Sequence, residues 1–308
     1  MYPVVVTLLC LLTLLASATS ATAKDMALRM IVVRQVDEAK AIRKQLRQGA
    51  SFCYLAKTKS IAPSRKQWGL SGVVNLNDVH SELQAILRKM KPGQFSDVTA
   101  LGRHYAVIKV LSPKVPDLLE TAKQQMNQGQ IKPAIQSARQ LLKLEKDNVP
   151  AHMLLGVALS ESKDFKESVK VIKQARDYAP TEAQILMLLG TVYTKAAFET
   201  EKRTYSKQAI GAFRQAMKLN KGFVPAAHLG LGHVHLNLLK QPKKAIPYLK
   251  KAADQAPQLA RAHQYLIQAY IETKTYPEAW KHMRYAQGKG FKFPKLLAQL
   301  HKIKKSSK

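Results

Sequence analysis

The sequence predicts an α+β N-terminal domain followed by an all-α solenoid, and three observations carry that reading. A Leu-Gly step recurs at Leu155-Gly156, Leu189-Gly190 and Leu231-Gly232, and 34 residues separate the first two glycines, the period of a helix–turn–helix repeat. Residues before about 113 lack that period and run instead between two short apolar stretches of strand type, Met30–Val33 and Tyr105–Leu111. Ahead of both, Met1–Ala23 holds no charged side chain and carries an apolar run from Val4 to Leu15.

The repeats have a consistent grammar. Three places past each Gly stands Leu159, Tyr193 or His235, and a small residue (Ser168, Ala209, Ala245) opens the next apolar segment. A bulky residue follows (Ile172, Phe213, Leu249), then an Ala (Ala175, Ala216, Ala252), and Pro180 and Pro257 close two of the units. Antiparallel helices approach closely only where side chains are small, and proline cannot continue a helix. No unit buries its apolar face alone, so the stack must be continuous. The pattern resembles the tetratricopeptide repeat (TPR). It divides residues 114–293 into about five units: 115–148, 149–182, 183–224, 225–259 and 260–293. The third carries a polar insertion around Thr194–Gln208, expected as a longer helix pair or an exposed loop. Leu296, Leu297, Leu300 and Ile303 give 294–308 a capping helix and a basic tail.

The opening stretch is too short to span a bilayer, and Ala21 and Ala23 fit a signal-peptidase site, so 1–23 is expected to be a signal peptide. The protein is then exported and periplasmic, or membrane-associated if the segment stays uncleaved. Beyond it stands one cysteine, Cys53, which excludes an internal disulfide in the mature chain and reads as a buried thiol.

Within 24–113 the strand at Met30–Val33 precedes a helix from Asp37 (Ala39, Ile42, Leu46) stopped by Gly49, and a second with Phe52, Leu55 and Ala56. A loop with Pro63, Gly69 and Gly72 leads to a third helix (Leu83, Ile86, Leu87, Met90), ended by Lys91-Pro92-Gly93. Gln48-Gly49, Phe52, Leu55-Ala56, Ser60, Lys91-Pro92-Gly93-Gln94-Phe95-Ser96 and Val107-Ile108-Lys109-Val110 together resemble a parvulin-type peptidyl-prolyl isomerase domain, over roughly Leu28 to Leu111. The resemblance implies a four-stranded antiparallel sheet with flanking helices and a proline pocket at Met30, Gly69, Met90, Tyr105 and Ala106. It also exposes three departures. The family's first-strand His is Met30 here, and its last-strand His is Ala106, with His104 two residues earlier. The turn Gln67-Trp68-Gly69-Leu70-Ser71-Gly72 lacks the family's acidic residue. Peptidyl-prolyl isomerase activity is therefore expected to be weak or absent, although isomerisation needs no nucleophile and the scaffold alone is the opposite case.

The TPR resemblance implies ligand-facing positions on each first helix: Met153, Val157, Ser160 and Glu161; Met187, Thr191, Thr194 and Lys195; Leu229, His233, Leu236 and Asn237. Met153 and Val157 do not reproduce the clamp that holds a chaperone's C-terminal carboxylate, and a mixed groove suits a helix or an extended peptide. His228, His233 and His235 have no ligand partners at metal spacing. The sequence shows no phosphate-binding or nucleophile motif, and neither a metal nor a small-molecule cofactor is expected.

Lys plus Arg is 50 against 20 Asp plus Glu, a net charge of +30, and Lys289–Lys308 holds seven Lys and no acid. Such a field attracts anions, so an anionic surface or polymer is a candidate partner; no nucleic-acid reader motif accompanies the charge. Three functions remain: an exported chaperone-like scaffold holding client or envelope-complex polypeptides, an active prolyl isomerase targeted by its repeats, or a polyanion-binding envelope component.

Overall fold

The computed structural model describes residues 25–221 and 224–306. The expected signal segment lies outside the described residues, and among these no helix is long and apolar enough to cross a membrane. The chain forms two compact units. One comprises the residues up to Ser162 with Lys173–Pro180, the other Lys163–Ile172 with the residues from Thr181 onward.

The first unit opens with β1 (Asp25–Val33), α1 (Val36–Arg47) and α2 (Phe52–Lys59), then β2 (Leu70–Asn75), α3 (Ser81–Leu87), β3 (Thr99–Leu101) and β4 (His104–Leu111). The residue pattern alone locates two strands. The sheet has four, all antiparallel, in the order β2-β1-β4-β3, as the parvulin resemblance implies. The two legible strands are the central ones, because only they are covered on both faces and so read as nearly continuous apolar runs. Leu28, Ala106, Ile108 and Val110 pack with Leu83 and Leu87 of α3 on one face. Ile31, Val33 and Val107 pack on the other face against Ala39, Ile42 and Leu46 of α1 and Phe52, Leu55 and Ala56 of α2. The third predicted helix stops at Leu87, short of Met90. Met90 N instead reaches back to Leu87 O at 3.0 Å in a tight turn, since Lys91 precedes Pro92 and is steered away from helical geometry.

Next come α4 (Lys114–Asn127), α5 (Ile131–Leu144) and α6 (Val149–Glu161). Leu70 of the sheet joins Leu119, Leu141 and Ala151 in one apolar cluster, so the first helical hairpin shares a core with the sheet.

α7 (Phe165–Tyr178) precedes α8 (Ala183–Thr200), α9 (Arg203–Leu219), α10 (Val224–His233), α11 (Pro242–Gln255), α12 (Ala260–Glu272), α13 (Tyr276–Gly288) and α14 (Pro294–Ser306). In the second unit the Leu-Gly steps work as close contacts. A Cβ on Gly190 would sit 2.5 Å from the Phe213 ring, and one on Gly232 would sit 2.3 Å from Leu249. The insertion lengthens a helix pair: α8 has 18 residues and α9 has 17, where α6 has 13 and α7 has 14. After α10 the chain widens into a π turn (Val234–Leu238), in which Leu239 N donates to Val234 O at 3.0 Å. α14 seats Leu300 in the core of α12 and α13, with Leu296, Leu297 and Ile303 around it.

Candidate functional site

The sheet face covered by α3 carries the positions that the parvulin resemblance singles out. Met30 pairs with Ile108 and Val32 with Ala106 across β1 and β4, so Met30 and Ala106 share that face. Met30 and Met90 are half-buried there beside Leu101, and Ala106 has no exposed surface. At these positions the face thus presents thioether and methyl groups where the resemblance implies a proline pocket. His104 shares the face by alternation but stands at the strand's start, opposite Leu101. Gly69 adopts φ +81°, its carbonyl accepts from Met30 N at 2.9 Å, and a Cβ there would lie 2.5 Å from Ala56 Cβ and 2.9 Å from Met30 O. Only glycine fits that edge. Tyr105 is a correction: it packs with Phe95 and Val98 on the α1/α2 face, because residues next to each other in a strand point to opposite sides.

In the helical repeats the positions divide. Met153 and Val157 are half-buried and Glu161 is exposed, whereas Ser160 is buried and does not face a ligand. Met187 and Lys195 are half-buried on α8. Thr191 and Thr194 spend their hydroxyls on their own helix, donating to Met187 O at 3.0 Å and Gly190 O at 2.7 Å. Leu236 is likewise a correction, a core residue 1 % exposed; it stands at the repeat position of Ser160, which is buried in a regular helix, so this position faces the core in both repeats. Leu229 is half-buried between two apolar clusters. His233 stacks on Tyr265 at 5.1 Å, and Asn237 accepts from Gln268 Nε2 at 3.3 Å. Tyr265 and Gln268 of α12 therefore extend the same surface. The ligand-facing positions implied by the sequence end in the fourth repeat; the register that takes Leu231 to Leu266 carries His233 to Gln268 but gives no sign of Tyr265. His228 and His235 are buried, bond Gln255 and Gln241, and both approach Tyr248.

A second missed cluster lies between the sheet and the α5–α6 turn. Arg29, with no exposed surface, donates from Nε to Glu145 Oε1 at 2.7 Å and from Nη2 to Oε2 at 2.9 Å. Lys109 Nζ reaches Asp147 Oδ1 at 2.6 Å and Glu145 Oε1 at 3.4 Å. Burial alone would raise the Glu145 pKa, but Arg29 and then Lys109 overcome it and hold the carboxyl at about 2. Burial pushes the neighbouring Cys53 thiol well up. On the outer side of α1, Lys40, Arg43, Lys44 and Arg47 border with Asp97 and Val98 a cleft of about 380 Å³; Arg43 pairs with Asp97.

A sheet with that helix order, joined to paired helices in glycine-stepped contact, defines a prolyl-isomerase-type domain carrying a helical repeat array. Residues 33–112 match the family model of the PPIC-type PPIase domain, called Rotamase, and residues 125–191 and 206–260 match two tetratricopeptide-repeat models. The chain therefore combines a parvulin domain with TPRs. Comparison with curated proteins gives no match. Among solved structures it is similar to Pseudomonas aeruginosa PilF, at 16% identity over 62% of this chain and 84% of that one, with a TM-score of 0.52. It is also similar to MamA residues 41 to the end from Desulfovibrio magneticus RS-1, at 17% identity over 58% and 96%, TM-score 0.49. A third is a thermophilic TPR protein of Thermus thermophilus, TTC0263, at 20% identity over 61% and 97%, TM-score 0.48.

Proposed function

We propose that this protein is an exported scaffold that holds other polypeptides through two surfaces. The parvulin domain takes extended, proline-containing segments with weak or absent turnover. The TPR array takes a helix or an extended peptide of a client or partner. Assembly of an envelope or secretion complex is the setting that suits an exported chain with two such surfaces.

The observation that carries this reading is the floor of Met30, Met90 and Ala106. Twisting an Xaa-Pro amide means crossing a barrier of about 18–20 kcal/mol. A floor of thioether and methyl groups grips a proline ring by apolar contact but presents no imidazole at either family position to the twisting amide. The test is a proline-isomerisation assay on the full chain beside a binding titration with the same peptide. Binding with a background rate is expected. A rate comparable with ordinary parvulins would overturn the reading in favour of an active isomerase targeted by its repeats.

A second reading, a polyanion-binding component, is favoured by the basic side of α1. Like charges four apart on a helix cost a few tenths of a kcal/mol each, roughly 0.2–0.5, and Lys40/Lys44 and Arg43/Arg47 are such pairs. Retention of anionic polymer that is unchanged at high salt would count against it.

A further inference from the structure

The turn Glu145–Asn148 between α5 and α6 makes several contacts at once. Glu145 takes the Arg29 fork from β1, while Asp147 takes Lys109 from β4. Asp147 Oδ2 also accepts from Phe52 N at 2.9 Å and Ser51 Oγ at 3.3 Å, closing the start of α2 from 95 residues away. Asn148 donates to Glu145 Oε2 at 2.7 Å and accepts from Ala151 N at 2.9 Å, capping α6. Two cations of the sheet thus meet two carboxylates of the first repeat, and Cys53 Sγ adds a 3.7 Å contact to Glu145.

The remaining nitrogen of the Arg29 fork, Nη1, turns to the Gln67–Trp68 backbone, with Gln67 O at 3.5 Å. Nη1 donates to Trp68 O at 2.9 Å. Trp68 has φ 58°, a left-handed conformation that bulky residues avoid, and Gly69 follows it at φ +81°. Gly69 O in turn receives Met30 N. Arg29 and Met30 are successive residues of β1, so their side chains point to opposite faces: one toward the first repeat, the other onto the floor of the hollow.

We infer that Arg29, held by Glu145, is a positioning residue that fixes the Trp68–Gly69 edge of the proline-binding hollow, so that the first repeat and the parvulin sheet bind peptide as one body. This rests on the proposed binding role of that hollow. The pair does not touch the peptide. It sets the loop conformation that the peptide meets.

The test uses the full chain with Arg29 and Glu145 replaced together by apolar residues, R29M/E145L, because swapping a buried ion pair for packed apolar groups tends to preserve folding. The readouts are affinity for a proline-containing peptide and hydrogen exchange at the Met30 amide. Affinity is expected to fall by about tenfold, within the usual span of coupling between sites, with faster exchange at Met30 and unchanged exchange at Ile108 in the sheet centre. Asp147→Asn, which weakens the Lys109 contact without touching Trp68, is expected to lower stability and leave affinity unchanged. Wild-type affinity and exchange in R29M/E145L would overturn the inference, as would an equal affinity loss in Asp147→Asn. If the wild-type chain binds no proline peptide, the binding reading fails by itself, and Met30 exchange still decides whether Arg29 holds the edge.

Discussion

His263 Nδ1 lies 3.0 Å from His282 Nε2, and His263 Nε2 lies 2.9 Å from Pro257 O. The carbonyl can only accept, so His263 carries its proton on Nε2 and its Nδ1 accepts from His282. Burial, and then the neighbouring His263, lower the His282 pKa from 6.5 to about 4. The folded form thus favours neutral His282, and the stability this brings is complete above 6.5 and drains away as pH falls toward 4. Trp280 lies on the same helix, α13, packed on the same apolar core. A Trp68→Phe variant, which leaves Trp280 as the fluorophore, should show a thermal midpoint falling across that window. His282→Gln should flatten the fall, and an unchanged slope would refute the assignment.

The first unit has a later acid limit. Glu145 is held at about 2 instead of its ordinary 4.5 by Arg29, Lys109 and Asn148 against the cost of burial, with Cys53 also in contact. Its contribution is intact above 4.5 and is lost between 4.5 and 2. His152, also buried and lowered, adds an earlier loss. Trp280→Phe leaves Trp68 to report this unit. The transition between 4.5 and 2 should weaken in R29M/E145L, whereas Glu145→Gln alone, which strands Arg29, should cost about 3–5 kcal/mol at neutral pH.

Glycine to alanine should have opposite signs at two helix positions. Gly211 of α9 has nothing within 4 Å of a new Cβ, so Gly211→Ala should stabilise by about 0.5–1 kcal/mol through helix propensity. Gly232→Ala drives a methyl into Leu249 and should destabilise by about 1–3 kcal/mol. Denaturant midpoints measured on the two variants decide the matter, and a stabilising Gly232→Ala would show that the α10–α11 contact yields.

Returning histidine to the hollow should be unequal at its two positions. Met30 is half-buried and should accept Met30→His with little loss. Ala106 is fully buried, so Ala106→His overpacks the sheet by about 1–3 kcal/mol and should restore no isomerase rate. A stable Ala106→His variant that gains activity would contradict this account of the floor.

Much of the architecture was legible because it is written in local period: the Leu-Gly spacing, the apolar runs of β1 and β4, and the stop at Gly49. β2 and β3 were not, being edge strands with little apolar signal. The register that sets Met30 and Ala106 on one face comes from the structure; alternation within β4 places Tyr105 opposite Ala106, although the resemblance implies both in one pocket. Ser160 and Leu236 occupy one repeat position that turns to the core in both units, and a serine at the first of them gives no apolar signal of that. Arg29 and Glu145 were invisible for another reason. They stand 116 residues apart in a chain with 50 basic side chains, where one more arginine looks solvated, and only the fold brings it to a carboxylate.

The short α5–α6 turn also bears on how such a protein can be recombined. A parvulin sheet grafted onto a foreign array would arrive with two buried cations and nothing to neutralise them, and the array left behind would keep two orphaned acids. The junction therefore works as a matched key, and a breakpoint placed after Asn148 is more portable than one placed at Pro113.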